Sequence, residues 1–152
     1  MHLGDIALGD EATASALGAA LAPVLMAGDV VLLKGDLGAG KSTLARAIIG
    51  ALAGVSDAPS PTFTLVETYA AEKFSLWHFD LYRLDEAGDV WELGLEEALD
   101  GGVLLVEWPD RIAGLLPNSA LTIQLEIKGD ARLAKISGAA NWRERLHRAG
   151  IA

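Results

Sequence analysis

Two short runs of the chain are apolar without interruption. Val30-Val31-Leu32-Leu33 and Val103-Leu104-Leu105-Val106 have the length and the β-branched content of strands buried on both faces of a parallel sheet. Two other regions pair up. Leu121 to Ile127 alternates apolar and polar residues with period two, Lys128-Gly129-Asp130 makes a turn, and Arg132 to Ile136 returns. That is a hairpin with one wet face. Ser60 to Tyr69 turns strand-like in its later part, and Phe74 to Asp80 follows after a four-residue connection, Ala70 to Lys73. A connection that short requires antiparallel pairing.

Helical spacing fills the gaps. Asp10 is placed to cap a first helix running to about Leu25, with Leu17, Leu21 and Val24 as its stripe and Pro23 marking a late kink or an earlier stop. Ser42 to Ile49 sets Leu44, Ala47 and Ile48 on one face. Glu86 to Leu99 is helical but weakened at Gly88 and Gly94, and Asn141 to Arg148 closes the chain as an amphipathic helix. There is no internal repeat. Parallel central strands, two hairpins and intervening helices predict an α/β fold, a mixed sheet covered on both faces, in a single domain over residues 1–152.

Between the first apolar run and the helix that follows it lies Gly35-Asp36-Leu37-Gly38-Ala39-Gly40-Lys41-Ser42. It fits G-x-x-x-x-G-K-[ST], the phosphate-binding loop of nucleoside triphosphatases, and its strand–loop–helix setting is the one that motif requires. Glycines let the backbone turn its N–H groups inward into an anion nest, and the helix adds its positive end. Lys41 is placed for the β- and γ-phosphates and the Ser42 hydroxyl for Mg²⁺. The fold is therefore expected to be a P-loop-type three-layer sandwich, with the phosphate site at the carboxyl ends of its central strands.

Further candidates follow from position. Glu107 stands directly after the second apolar run, where such folds place a carboxylate that helps hold Mg²⁺ or polarises an attacking water; the plain alternative is an ordinary strand-end acid. Asp80 ends the strand Phe74–Phe79 and is a second acid within range of the same site. Thr62 lies in the loop after the phosphate helix, where a switch threonine senses the γ-phosphate; Ser60 and Thr64 read equally as turn or strand residues. His78 alternates with Trp77 and Phe79 and reads as a packed or strand-surface histidine. Trp77, Trp91, Trp108 and Trp142 read as core or rim anchors, with Trp108 beside Glu107 able to shield the site.

Composition narrows the function. With no cysteine there is no disulfide, thiolate metal site or cysteine nucleophile. Met1 to Leu25 is interrupted by Asp5, Asp10 and Glu11, and no run reaches the roughly 18 apolar residues of a membrane span, so a cytoplasmic protein without a membrane partner is expected. A net charge of −9 disfavours unaided nucleic-acid binding. Arg143, Arg145 and Arg148 near the end read as a solvated helix face. No Asn-Lys-x-Asp motif follows Asn118 or Asn141, which favours ATP over GTP, and no arginine-rich lid insertion of the small-molecule kinase type is present.

The phosphate loop extended to Thr43, then Ser60-Pro61-Thr62-Phe63-Thr64-Leu65-Val66, then His78-Phe79-Asp80-Leu81-Tyr82-Arg83-Leu84, then Val106-Glu107-Trp108-Pro109 occur in that order. This set, from about Gly9 to Ile136, resembles the TsaE (YjeE) family of bacterial ATPases needed for threonylcarbamoyladenosine in tRNA. The resemblance implies that Leu37, Gly38, Ala39, Gly40, Lys41, Ser42 and Thr43 wrap the phosphates of ATP. It implies that Ser42 and Glu107 hold Mg²⁺, that Thr62 belongs to a switch-like loop, and that Asp80 is needed for activity. Glu11 and Arg132 match family positions that contact the nucleotide. It further implies partners, TsaB and TsaD, and a product, the modified adenosine 37 of tRNAs reading codons that begin with A, with tRNA met through the complex. Two other readings share the same loop: a small-molecule kinase and a nucleotide-gated binding module.

Overall fold

The computed structural model describes residues 1–151. Its strands are β1 (His2–Leu8), β2 (Val30–Lys34), β3 (Val66–Ala70), β4 (Ser75–Asp80), β5 (Val103–Glu107), β6 (Leu121–Lys128) and β7 (Ala131–Ser137). The α-helices are α1 (Glu11–Leu21), α2 (Lys41–Ala53), α3 (Leu95–Leu99) and α4 (Asn141–Arg148). The strands form one sheet in the order β1-β7-β6-β2-β5-β4-β3. The two apolar runs become β2 and β5, which pair in parallel, with β4 and β6 parallel on either side. The two hairpins, β3–β4 and β6–β7, are antiparallel as their short connections demand.

Alternation along each strand builds two cores. Val31, Leu33, Leu76, Val103, Leu105, Leu121 and Ile123 face α1, α2 and α4. Val30, Phe79, Leu104 and Val106 face the other way, onto Val90, Leu95, Ala98 and Ile112. This is the three-layer α/β arrangement expected from the sequence, and it carries both hairpins.

Differences from the sequence-based expectation have local causes. The hydrophobic pattern predicts no element at His2–Leu8, yet this segment is an edge strand antiparallel to β7. Only Leu3 and Leu8 of its side chains are buried, so its apolar signal is thin, and Asp5 and Gly4 disguise it further. The first helix takes the earlier of the two stops that Pro23 allows. It ends at Leu21, and a single 3₁₀ turn carries Ala22–Val24. Its start is as expected: the Asp10 side chain accepts from the Thr13 N–H at 2.9 Å, and the Asp10 N–H donates back to the Thr13 hydroxyl at 3.0 Å. The strand after α2 starts late, at Val66, because Pro61 to Leu65 is occupied by a turn closed by Leu65 N–H on the Pro61 carbonyl at 2.7 Å.

The broken helix at 86–99 is a 3₁₀ segment, Ala87–Leu93, followed by α3, and Gly94 makes the break. At φ +95° a side chain is strained there, and a Cβ would also sit 2.9 Å from the Trp77 ring. Gly18 has a different task. A Cβ on it would lie 2.7 Å from the Ala47 Cβ and 3.0 Å from the Leu44 carbonyl, so its absence lets α1 and α2 touch nearly backbone to backbone.

The reading of the terminal arginines as one solvated face is corrected at Arg145. Arg143 and Arg148 are exposed, but Arg145 is buried. Its guanidinium lies 3.9 Å from the Trp142 ring centroid and donates to the Val24 carbonyl and to both carboxylate oxygens of Asp29. Helical spacing places it on the inner face beside Trp142 and Leu146, and a paired arginine tolerates that burial. Removing one partner of such a pair strands the other, so Arg145→Ala is expected to lower unfolding stability by about 3 kcal/mol in urea titrations. Arg148→Ala, on the wet side, is expected to change it by less than about 0.5 kcal/mol.

Candidate functional site

The phosphate-loop sequence folds as its glycines require. Gly35, Gly38 and Gly40 all have positive φ, at +145°, +82° and +106°. Gly40 is the N-cap of α2, so the loop runs straight into the positive end of that helix. At Gly35 a Cβ would come within 2.7 Å of the Leu125 carbonyl, which makes that position a close approach between loop and β6 as well as a turn.

Lys41 begins α2 and is buried. Its ammonium donates to the carbonyls of Gly35 at 2.5 Å and Asp36 at 3.0 Å, and stands 4.3 Å from the centroid of Trp108. Burial holds its pKa below the ordinary lysine value, and the nearby carboxylates of Glu107, Asp80 and Asp36 only partly oppose this. A desolvated ammonium at a helix N-terminus is a site that an anion would complete.

Three strands deliver the acids. β2, β5 and β4 pair in parallel with Leu33 level with Glu107 and Glu107 level with Asp80. Alternation then sets His78, Asp80 and Glu107 on the sheet face that α2 covers, the face of Leu76 and Leu105. Ser42, one residue into α2, reaches Glu107 Oε1 at 3.4 Å. That separation is long for a hydroxyl–carboxylate bond, so both oxygens keep lone pairs for a hard cation. Thr62 reaches Asp80 Oδ2 at the same 3.4 Å and shares a 2.9 Å bond with Ser60. Asp80 Oδ1 accepts from the Tyr82 N–H at 3.1 Å.

Lys41, Ser42, Thr62, Asp80 and Glu107 line a cleft of about 320 Å³ that also takes in Leu37, Gly38, Gly40, Thr43, Tyr82 and Trp108. A second cavity of about 270 Å³ lies on the other side of the loop and shares Gly38, Gly40 and Thr43 with it. Glu11 and Arg132 line this second cavity with Ala39, Leu8, Ala14, Leu125 and Asp130. Arg132 also donates to the Gly38 carbonyl at 3.2 Å, tying β7 to the loop. Every candidate taken from the sequence thus lies at one of two adjoining cavities. Glu11 and Arg132 do not meet the acids; they face the far side of the glycine loop.

The structure adds one residue to the set. His78 is buried, and its Nε2 is 2.6 Å from Glu107 Oε2. It is the packed histidine that the sequence suggests, but it packs against the acid at the heart of the cleft. The signal is present in strand parity: two residues before Asp80, it shares that residue's face. Trp108, at φ +59°, lays its ring between Lys41 and Tyr82, 4.9 Å from the latter.

A family model described as "Threonylcarbamoyl adenosine biosynthesis protein TsaE" matches residues 8–134. The chain belongs to the TsaE family. It is 42% identical over 131 residues to the tRNA threonylcarbamoyladenosine biosynthesis protein TsaE of Rickettsia conorii, covering 85% of this chain and 75% of that protein. It is 34% identical over 113 residues to the TsaE protein of Haemophilus influenzae, covering 74% of this chain and 72% of that one. The crystal structure of Bacillus subtilis YdiB superposes with a TM-score of 0.81 at 29% identity, covering 99% of this chain and 96% of that chain. TsaE family membership thus extends over both cavities, from Leu8 in one to Glu107 in the other.

Asp80 carries a measurable consequence of this arrangement. Burial raises its pKa above the usual carboxylate value, against the lowering effect of the Tyr82 N–H. The native state therefore binds that proton more tightly than the unfolded chain does. Stability from this group is full below the unfolded value, about pH 4, and is lost as pH rises through the folded one. Asp80→Asn keeps an oxygen for Tyr82 and abolishes the titration. Thermal melts across the pH range should show this variant more stable than the parent near neutrality, with the gap closing toward about pH 4.

Proposed function

We propose that this chain is a Mg²⁺-dependent ATPase that serves threonylcarbamoyladenosine formation at adenosine 37 of tRNA, in the cytoplasm, as an accessory to TsaB and TsaD. The observation that carries this reading is the convergence of Lys41, Ser42, Thr62, Asp80 and Glu107 on one cleft at the head of α2.

The two adjoining cavities divide a nucleotide between them. The one lined by Leu8, Ala14 and Leu125 has apolar walls for a base, with Glu11, Asp130 and Arg132 supplying polar contacts at its rim. The other would receive the β- and γ-phosphates, with Leu37 to Thr43 wrapping the chain between them. Lys41 would leave its two carbonyl partners for phosphate oxygens, gaining charge-assisted bonds in place of neutral ones. Ser42 and Glu107 offer the hydroxyl and carboxylate that a Mg²⁺ ion takes beside phosphate oxygens and waters, and such an ion would neutralise charge on the transferring group. Asp80, with Thr62 against it, would orient a water for attack.

Partners would supply the remaining chemistry. The relatives' names tie them to a tRNA modification, and a chain of net charge −9 is poorly suited to holding tRNA by itself. Among the described residues no helix is long and apolar enough to cross a membrane.

Calorimetry with ATP and Mg²⁺ tests the core of this reading. Lys41→Ala removes an ionic donor worth about 1.5–3 kcal/mol, so ATP affinity should fall about 10- to 100-fold. Cells relying on that variant should lose the threonylcarbamoyl mark when their tRNA nucleosides are separated. Unchanged affinity would overturn the site. Labelled phosphate arriving on a nucleoside or sugar instead of water would replace the ATPase reading with that of a kinase.

A further inference from the structure

The geometry points to His78 as the positioning residue for Glu107: its Nε2–H fixes the carboxylate so that one oxygen is held in the sheet and the other is presented to the head of α2. The inference rests on the nucleotide reading above and names a residue that the reading does not use.

Burial decides where the imidazole proton sits. His78 is 1% exposed and Glu107 3% exposed, so neither is compensated by solvent. The His78 Nδ1 atom is buried and meets no partner among the described residues. A proton placed there would be an N–H donor sealed without an acceptor, at a cost of about 1–3 kcal/mol. A bare nitrogen lone pair is the cheaper occupant. The ring therefore carries its hydrogen on Nε2 and donates it to Glu107 Oε2 across 2.6 Å.

The carboxylate is divided as a result. Oε2 is taken by His78, and no other hydrogen bond reaches it among the described residues. Oε1 is left facing the Ser42 hydroxyl at 3.4 Å, on the side of the phosphate loop. The strands enforce the pairing. His78 lies level with Leu105 on β5, two residues before Glu107 and on the same sheet face, so the imidazole approaches along the sheet from beneath the carboxylate. Without that N–H, a buried oxygen loses its donor and the carboxylate is free to rotate. Rotation withdraws Oε1 from the place where a cation would need it. A donor behind an acidic ligand acts in this way on metal affinity, commonly by about 10- to 100-fold.

Three substitutions separate this role from simple packing. In His78→Gln the side-chain amide nitrogen falls close to the place of Nε2 and keeps the donor. In His78→Asn the amide falls near Nδ1, short of Glu107. His78→Leu fills the space with no donor at all. Each protein is titrated by calorimetry with a non-hydrolysable ATP analogue, once in EDTA and once in excess Mg²⁺, and a thermal melt checks that it folds. The quantity read is the gain in affinity that Mg²⁺ brings.

The expected result is that His78→Leu and His78→Asn lose at least about tenfold of that gain while binding in EDTA stays within about twofold of the parent, and that His78→Gln restores most of it. If His78→Leu does not fold, the contrast between Asn and Gln decides the matter by itself. A Mg²⁺ gain retained in the donor-less variants, or a fall of equal size in EDTA and in Mg²⁺, would overturn the proposal and leave the nucleotide site standing. Parent protein that gains nothing from Mg²⁺ would remove the reading beneath it, and the proposal with it.

Discussion

Parallel pairing of three strands is the constraint on which everything else in this molecule depends. β2, β5 and β4 run side by side in a register that levels Leu33, Glu107 and Asp80. A parallel sheet buried on both faces accepts ionised groups cheaply only at its strand ends, because any charge placed lower would sit among Val31, Leu105 and Leu76. The acids therefore collect at one edge, and α2 begins at that same edge because the glycine loop leaves β2 there. A slip of one residue in β4 would turn His78 and Asp80 into the opposite core and leave Trp77 and Phe79 against the phosphate loop.

Much of this is legible in the chain before folding. The apolar runs mark β2 and β5, and period-two alternation and short connections mark both hairpins. The phosphate loop announces itself through glycines whose positive φ no other residue adopts cheaply. What local pattern hides shares a cause: it depends on partners distant in sequence. β1 presents two buried side chains, and only pairing with β7 makes it a strand. Arg145 resembles its exposed neighbours until Asp29 and the Val24 carbonyl, more than a hundred residues earlier, surround it. His78 lies 29 positions from Glu107, and strand parity sets it on the face of Asp80 without naming the acid it meets.

The candidate site residues fall into the same two classes. Loop members such as Gly38, Gly40, Lys41 and Ser42 are contiguous, so spacing alone identifies them. Asp80 and Glu107 stand out because a strand end is a recognisable place. Glu11 and Arg132 come from α1 and β7 and converge only through the tertiary fold, so resemblance to TsaE proteins is needed to find them. The membership of this chain in that family, over residues 8–134, spans all of these contributors.

The near-contact of α1 and α2 at Gly18 has a mechanical corollary. Two rods packed this closely share one support, which carries both the wall bearing Glu11 and the helix that follows the glycine loop. On the other side of the glycine loop the acid cleft is bounded by a tight bend at Pro61 to Leu65, with Phe63 exposed and resting on the Arg83 guanidinium 4.6 Å from its ring. A ligand spanning both cavities would meet helix-backed main chain on one side and a single turn on the other.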